Sequence, residues 1–164
     1  MNAMSSFKEG LEDWNLYVAD RDRAEICRHK LFADHLRHLP EIIREALNNP
    51  KQRLYALEIA EQFPVDLRKG LLPILLAVAS HVSAHILRAR DLILAFPHEW
   101  LLKNVENAAM PLLESGNEEE YRRILELYVR LDGSLALGLA KRAASHLDAE
   151  VRAVGREFLD QHRL

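Results

Sequence analysis

The chain repeats itself. Leu39-Pro40-Glu41-Ile42-Ile43 through Glu61-Gln62-Phe63-Pro64 returns thirty-three residues later as Leu72-Pro73-Ile74-Leu75-Leu76 through Leu94-Ala95-Phe96-Pro97. Each copy holds two short amphipathic stretches. A unit of that size cannot bury its apolar face alone and must stack on its neighbours, so the period predicts an all-α chain built as a helical solenoid.

Aligning the apolar positions places second helices at about 51 to 63, 82 to 96, 118 to 131 and 149 to 161. Ala56, Ala89, Ile124 and Gly155 then share one column, Ile59, Leu92, Leu127 and Phe158 another, and Phe63, Phe96 and Leu131 a third. A mostly small column beside large ones is what closely packed helices need. First helices are expected at about 40 to 48, 67 to 79, 99 to 114 and 134 to 145, with Pro40 at a start and Pro73 and Pro111 inside as kinks. Between them lie Asn48-Asn49-Pro50, Ser80-His81, Ser115-Gly116-Asn117 and Leu147-Asp148, whose side chains suit helix caps. Residues 1 to 38 read as an atypical, charge-rich capping pair: Phe7, Leu11, Trp14 and Val18 form one helix, Asp20-Arg21-Asp22 a break, and Ile26, Cys27, Leu31 and Leu36 the second. The expected organisation is a capping pair over 1–38 and a repeat array over 39–164, in one continuous domain of four to five helix pairs.

Low aromatic content, few β-branched residues and only 6 glycines and 6 prolines agree with helices. A single cysteine excludes an internal disulfide framework and points to a reducing compartment, the cytoplasm. The apolar run Leu71 to Ala79 is broken by Pro73 and falls short of the roughly 20 residues of a membrane helix. The first residues lack the basic and apolar stretches of a secretory signal. A formal charge of -3 opposes wholesale binding to nucleic acid or anionic membranes while leaving room for a local basic patch.

These residues resemble HEAT repeats, including the short variant of phycobilisome-lyase-like HEAT proteins. The likeness covers about residues 39 to 162 and rests on proline and apolar residues in the first helix, an Asn or Asp turn, a Val-Arg step and an alanine and leucine ladder. Leu39-Pro40 to Ala60 fits it with Arg53 and Ala56, and Ser145 to Arg152 fits the turn and the Val-Arg step. The middle units depart, with Ile86 and Tyr121 in the arginine column. The resemblance implies a right-handed α-α superhelix and carries no activity. A tetratricopeptide array has a similar period, but its Trp-Leu-Gly-Tyr patterning is absent.

Two sets of residues could carry function. Glu58, Asp91, Glu126 and Glu157 recur once per unit on the second helices and would form an acidic stripe on a concave face, suited to a basic protein segment. The same carboxylates could equally be solvated partners of arginines on the next layer. Arg88, Arg122, Arg123 and Arg130, with Arg90 among them, offer an alternative anion-binding groove, since the planar guanidinium suits phosphate. The acidic set predicts a protein-interaction module or scaffold. The basic set predicts a DNA-binding protein of the kind the HEAT-like DNA glycosylases exemplify, and likeness to lyase-type repeats implies help with chromophore attachment or another modification. The Glu118-Glu119-Glu120 run reads as a helix start. His81 with His85, and His35 with His38, have helical spacing but no third metal ligand, and Cys27 with His29 has no orienting partner, so neither a metal, a cofactor nor a catalytic residue is expected. Trp14 and Trp100 are expected as core or seam anchors. Apolar faces left at the solenoid ends would permit homo-oligomers.

Overall fold

A computed structural model describes residues 3–81 and 84–161, with side chains from Gly10 onward. Val82 and Ser83, where the second predicted inner helix was to begin, lie outside the described residues, as do the Phe7 side chain and the last three residues. The described residues form ten α-helices and no strand: α1 Ala3–Asp34, α2 Leu39–Asn48, α3 Arg53–Glu61, α4 Val65–Lys69, α5 Leu72–Ser80, α6 Ile86–Leu94, α7 His98–Glu114, α8 Glu118–Leu131, α9 Gly133–Ala144 and α10 Ala149–Gln161. They fall into two compact units, Met1–Glu41 and Ile42–Leu164.

The first unit is dominated by α1, and here the expectation fails. Asp20-Arg21-Asp22 does not break the chain; one helix of 32 residues runs through it. Charge is no obstacle to a helix when partners sit one turn apart, and Arg23 pairs with Asp20 at 3.3 Å, His29 with Glu25 at 3.2 Å and Arg28 with Glu25. There is thus no capping pair of two helices within residues 1–38. Cys27 is exposed rather than buried, and Trp14, expected as an anchor, is 59% exposed.

In the second unit the predicted second helices correspond to α3, α6, α8 and α10. Helices α5 and α6, α7 and α8, and α9 and α10 pack as successive pairs, and α3 touches α6, α5 touches α7 and α8, and α8 touches α9 and α10. The core follows the predicted columns in large part: Ala56, Ala89, Ile124 and Gly155 are all buried, as are Phe63, Phe96 and Leu131, whereas in the column of Ile59, Leu92, Leu127 and Phe158 only Leu92 and Leu127 are buried and the two end members are half-buried. Where α10 crosses α9, Gly155 is indispensable. A Cβ there would lie 2.3 Å from the Ala144 nitrogen and 2.7 Å from the Ala140 oxygen, so the two backbones meet directly.

The expected first helix over 67 to 79 is divided into α4 and α5, with Gly70 and Leu71 between them. Pro73 therefore stands in the first turn of α5 instead of inside a helix, where its missing N–H costs nothing. Pro111 does lie inside α7. Asn117 caps α8 through a full capping box: its side chain accepts from Glu119 N at 2.9 Å while Glu120 accepts from Asn117 N at 2.7 Å. Asp148 caps α10 from Glu150 N at 2.7 Å and Val151 N at 3.2 Å. Asp132, which sequence reading passed over, caps α9 in the same way. Ser80 is no cap; it is buried and donates back to the Ala77 carbonyl at 2.9 Å.

Two arginines explain part of the HEAT-like pattern physically. Arg53 donates to the Leu47 carbonyl at 2.9 Å, and Arg152 donates to the His146 carbonyl at 2.8 Å, each reaching back six residues across its turn. Arg53 satisfies a carbonyl that the end of α2 leaves open, and Arg152 ties down carbonyls of the turn after α9. The middle pairs lack this clamp. Tyr121 stands in the arginine column fully buried, packed on His146 with ring centroids 5.4 Å apart and its hydroxyl without a hydrogen-bond partner among the described residues.

Candidate functional site

The two predicted charge sets come together as one. Arg88 of α6 reaches α3, donating to Glu61 at 2.6 and 2.8 Å and to Glu58 at 3.3 Å. Between α6 and α8, Arg90 meets Glu126 at 2.8 Å and the Arg123 carbonyl at 2.9 Å, while Arg130 meets Asp91 at 3.4 Å. Between α8 and α10, Arg122 meets Glu157 at 3.0 Å. Arg123 stays within α8, bridging Glu119 at 2.8 Å and Glu126 at 3.2 Å. Every carboxylate of the predicted column is thus matched by an arginine, and each seam between successive second helices is crossed by at least one such bond. The stripe and the groove interleave into a ladder of mixed charge.

The members differ in energetic weight. Arg90 is buried, so its pair with Glu126 holds a charge that water reaches poorly. Burial pushes the Glu126 carboxyl up, but hydrogen bonds from Arg90 and Arg123 outweigh it and hold the group below its ordinary value. Glu61 is also held low, chiefly by the hydrogen bond from Arg88, whose own pKa rises in return. The Arg122–Glu157 and Arg130–Asp91 pairs are more exposed, and pairs of that kind contribute about 0 to 1 kcal/mol. Glu61 belongs to the ladder but not to the column: thirty-three residues on stands Leu94, so the repeat gives no sign of it.

Beside the last rung the surface opens into a cleft of about 310 Å³ between α8 and α10. Leu125, Val129, Val154 and Phe158 make its apolar lining, and Arg122, Glu126, Glu157 and Gln161 its polar rim. Leu125 and Val154 are buried as floor, whereas Val129 is 45% exposed. The apolar residues come from positions where helix periodicity alone predicts core; only the three-dimensional gap between the helices leaves them reachable. A second cleft of about 190 Å³, lined among others by Glu106, Met110, Tyr128, Gly138 and Arg142, separates α7, α8 and α9.

The remaining candidates are placed as follows. His81 Nδ1 donates to the Ala77 carbonyl (2.8 Å) and lies 3.2 Å from Ser80 Oγ, with Glu120 3.6 Å from its other nitrogen. His35 and His38 lie in the turn between α1 and α2, so their helical spacing does not apply. Among the described residues no group of three or more His, Cys, Asp or Glu side chains gathers as a metal site. None of the helices is long and apolar enough to cross a membrane, among the described residues. Trp100 packs on Phe96 at 5.1 Å, as a seam anchor should, with the Lys69 ammonium 5.5 Å above its ring. Arg68, also buried, lies 5.3 Å over the Phe96 ring.

Compared with family models, curated proteins and solved structures, the chain matches none.

Proposed function

We propose that this chain is a non-enzymatic protein-interaction module of HEAT-like build, holding a partner segment along the row α3, α6, α8 and α10 as its concave face. The observation that carries the reading is the cleft between α8 and α10: its volume falls within the roughly 300 to 1,000 Å³ of ordinary binding pockets, and an apolar floor lies under a rim of both charge signs. Such a site takes one large apolar side chain of a partner and fixes it with flanking polar contacts. The neighbouring carboxylates Glu58, Asp91 and Glu157 are exposed enough to exchange their arginines for a lysine or arginine of that partner.

The ladder weighs against the alternative, a phosphate-binding groove. Arg88, Arg122, Arg123 and Arg130 each already hold a carboxylate, so nucleic acid would have to displace those groups before gaining contact. The test is capture from native lysate, with and without nuclease, using the wild-type chain and Val129→Glu, which alters the cleft at an exposed position. A discrete protein retained after nuclease and lost with Val129→Glu is expected. Equal retention by both chains refutes the cleft, and retention of nucleic acid alone replaces the reading with the arginine groove.

A further inference from the structure

The long helix α1 carries a face that the other described residues of its unit leave exposed. Leu11, Trp14 and Val18, at steps of three and four, form a seam with Tyr17 beside it, its ring 5.7 Å from that of Trp14, and all four are exposed. A lone helix presenting such a seam to water gains little from tertiary packing, which supplies most of a helix's stability in proteins.

The charges along the same helix say what fits there. Up to Asp20 the helix carries Glu9, Glu12, Asp13 and Asp20 against Lys8 alone; from Arg21 to Asp34 it carries Arg21, Arg23, Arg28 and Lys30 against Asp22, Glu25 and Asp34. The helix is acidic in its first part and basic in its second. A copy of itself laid antiparallel sets each part against its opposite, whereas a parallel copy sets like against like. The antiparallel register also brings Arg21 over Val18 and Trp14, where its stem covers the apolar seam and its guanidinium meets the indole face.

From these observations we infer that α1 is a self-association element that pairs two copies of this chain as an antiparallel helix pair. A helix of 32 residues is about 48 Å long, and a strip about 10 Å wide along it gives about 1,000 Å² over two copies, at the lower edge of specific interfaces. The pairing is independent of the cleft and of the function proposed for it.

The lone cysteine makes the orientation measurable. Two antiparallel copies hold their Cys27 residues about 22 Å apart along the axis, beyond the roughly 7 Å that a disulfide spans, yet place Cys27 opposite the region of residue 12 in the second copy. Sedimentation equilibrium of the full chain is expected to give twice the 18.9 kDa mass, reverting to that mass with Trp14→Glu and at high salt. Mild oxidation is expected to leave the wild-type chain uncrosslinked and to join Glu12→Cys chains through the new thiol and Cys27 of the second copy. Circular dichroism of Trp14→Glu is expected to retain the thermal transition of residues 42–164. A single-chain mass at all concentrations, a dimer that survives Trp14→Glu, or a Cys27 to Cys27 disulfide in the wild-type chain overturns the proposal.

Discussion

Replacing Gly155 by alanine tests the packing argument at its tightest point. The added Cβ would sit 2.3 Å from Ala144 N, 2.7 Å from Ala140 O and 2.8 Å from Ala143 C, all backbone atoms of α9. No rotamer change relieves a clash with backbone, so α10 must retreat by about 1 Å to restore ordinary separations near 3.5 Å. That retreat loosens the packing of the buried Val151 and Val154 of α10, and a gap of this size forfeits a quarter to a half of each dispersion contact. Overpacking costs about 1 to 3 kcal/mol, and a clash with unyielding backbone at three atoms places this one at the upper end, about 3 kcal/mol. Against it stands the gain of about 1 kcal/mol from replacing glycine within a helix. The net expectation is a loss of about 2 kcal/mol, or about 4 to 8 °C in Tm for a chain of this size. Gly138→Ala in α9 supplies the control, because a Cβ there meets nothing within 4 Å. It should stabilise by about 0.5 to 1 kcal/mol. Urea unfolding followed by circular dichroism measures both. A Gly155→Ala chain as stable as wild type refutes the direct backbone contact; equal losses in both variants would show that glycine itself, and not the space around it, is what matters.

Two further outcomes follow from polar groups. Tyr121→Phe removes a buried hydroxyl that has no hydrogen-bond partner among the described residues, and such a group costs about 1 to 3 kcal/mol when left unsatisfied, so the substitution is expected to leave the urea midpoint unchanged or raise it; a clear loss would mean that the hydroxyl is bonded. Acid should weaken the fold. Glu61 and Glu126 are held below their ordinary values, by Arg88 for the first and by Arg90 and Arg123 over an opposing burial effect for the second, so their stabilisation is complete above the unfolded carboxyl value of about 4.3 and is lost as pH falls through the folded values. Urea midpoints measured over a pH series should be level near neutrality and fall below about pH 4, and a midpoint that rises on acidification contradicts the ladder.

Local signals made much of this fold legible. The column through Ala56, Ala89, Ile124 and Gly155 identified the helix row, its last member standing where two backbones meet, and Asn117 and Asp148 announced helix starts by capping chemistry. Where polarity was taken as punctuation the reading went astray. Asp20-Arg21-Asp22 looked like a break, but charges one turn apart support a helix, and Pro73 looked internal because the short interruption at Gly70 and Leu71 leaves little trace in hydrophobic spacing. Apart from Glu61, the charged residues of the ladder were named from the sequence. That carboxylates of the column could pair with arginines of the next layer was also legible; which partner each takes was not, because Arg88 meets Glu61 across 27 positions and Arg130 meets Asp91 across 39, and such distances depend on how helices lie against one another. The cleft was hidden for a related reason: Val129 and Phe158 have core spacing, and only the separation of α8 from α10 exposes them.

The reach-back arginines divide labour along the chain. Arg53 and Arg152 tie their turns from within a single helix pair, whereas the pairs between them are fastened to one another by the cross-seam bonds of Arg90 and Arg130. A hairpin fastened from within keeps its shape when moved, and one fastened by its neighbours does not. The α9 and α10 hairpin is therefore the natural cassette for transplantation or duplication, and an added unit would be tolerated after it more readily than between α6 and α7, where an insertion would part Arg90 from Glu126 and Arg130 from Asp91 at once.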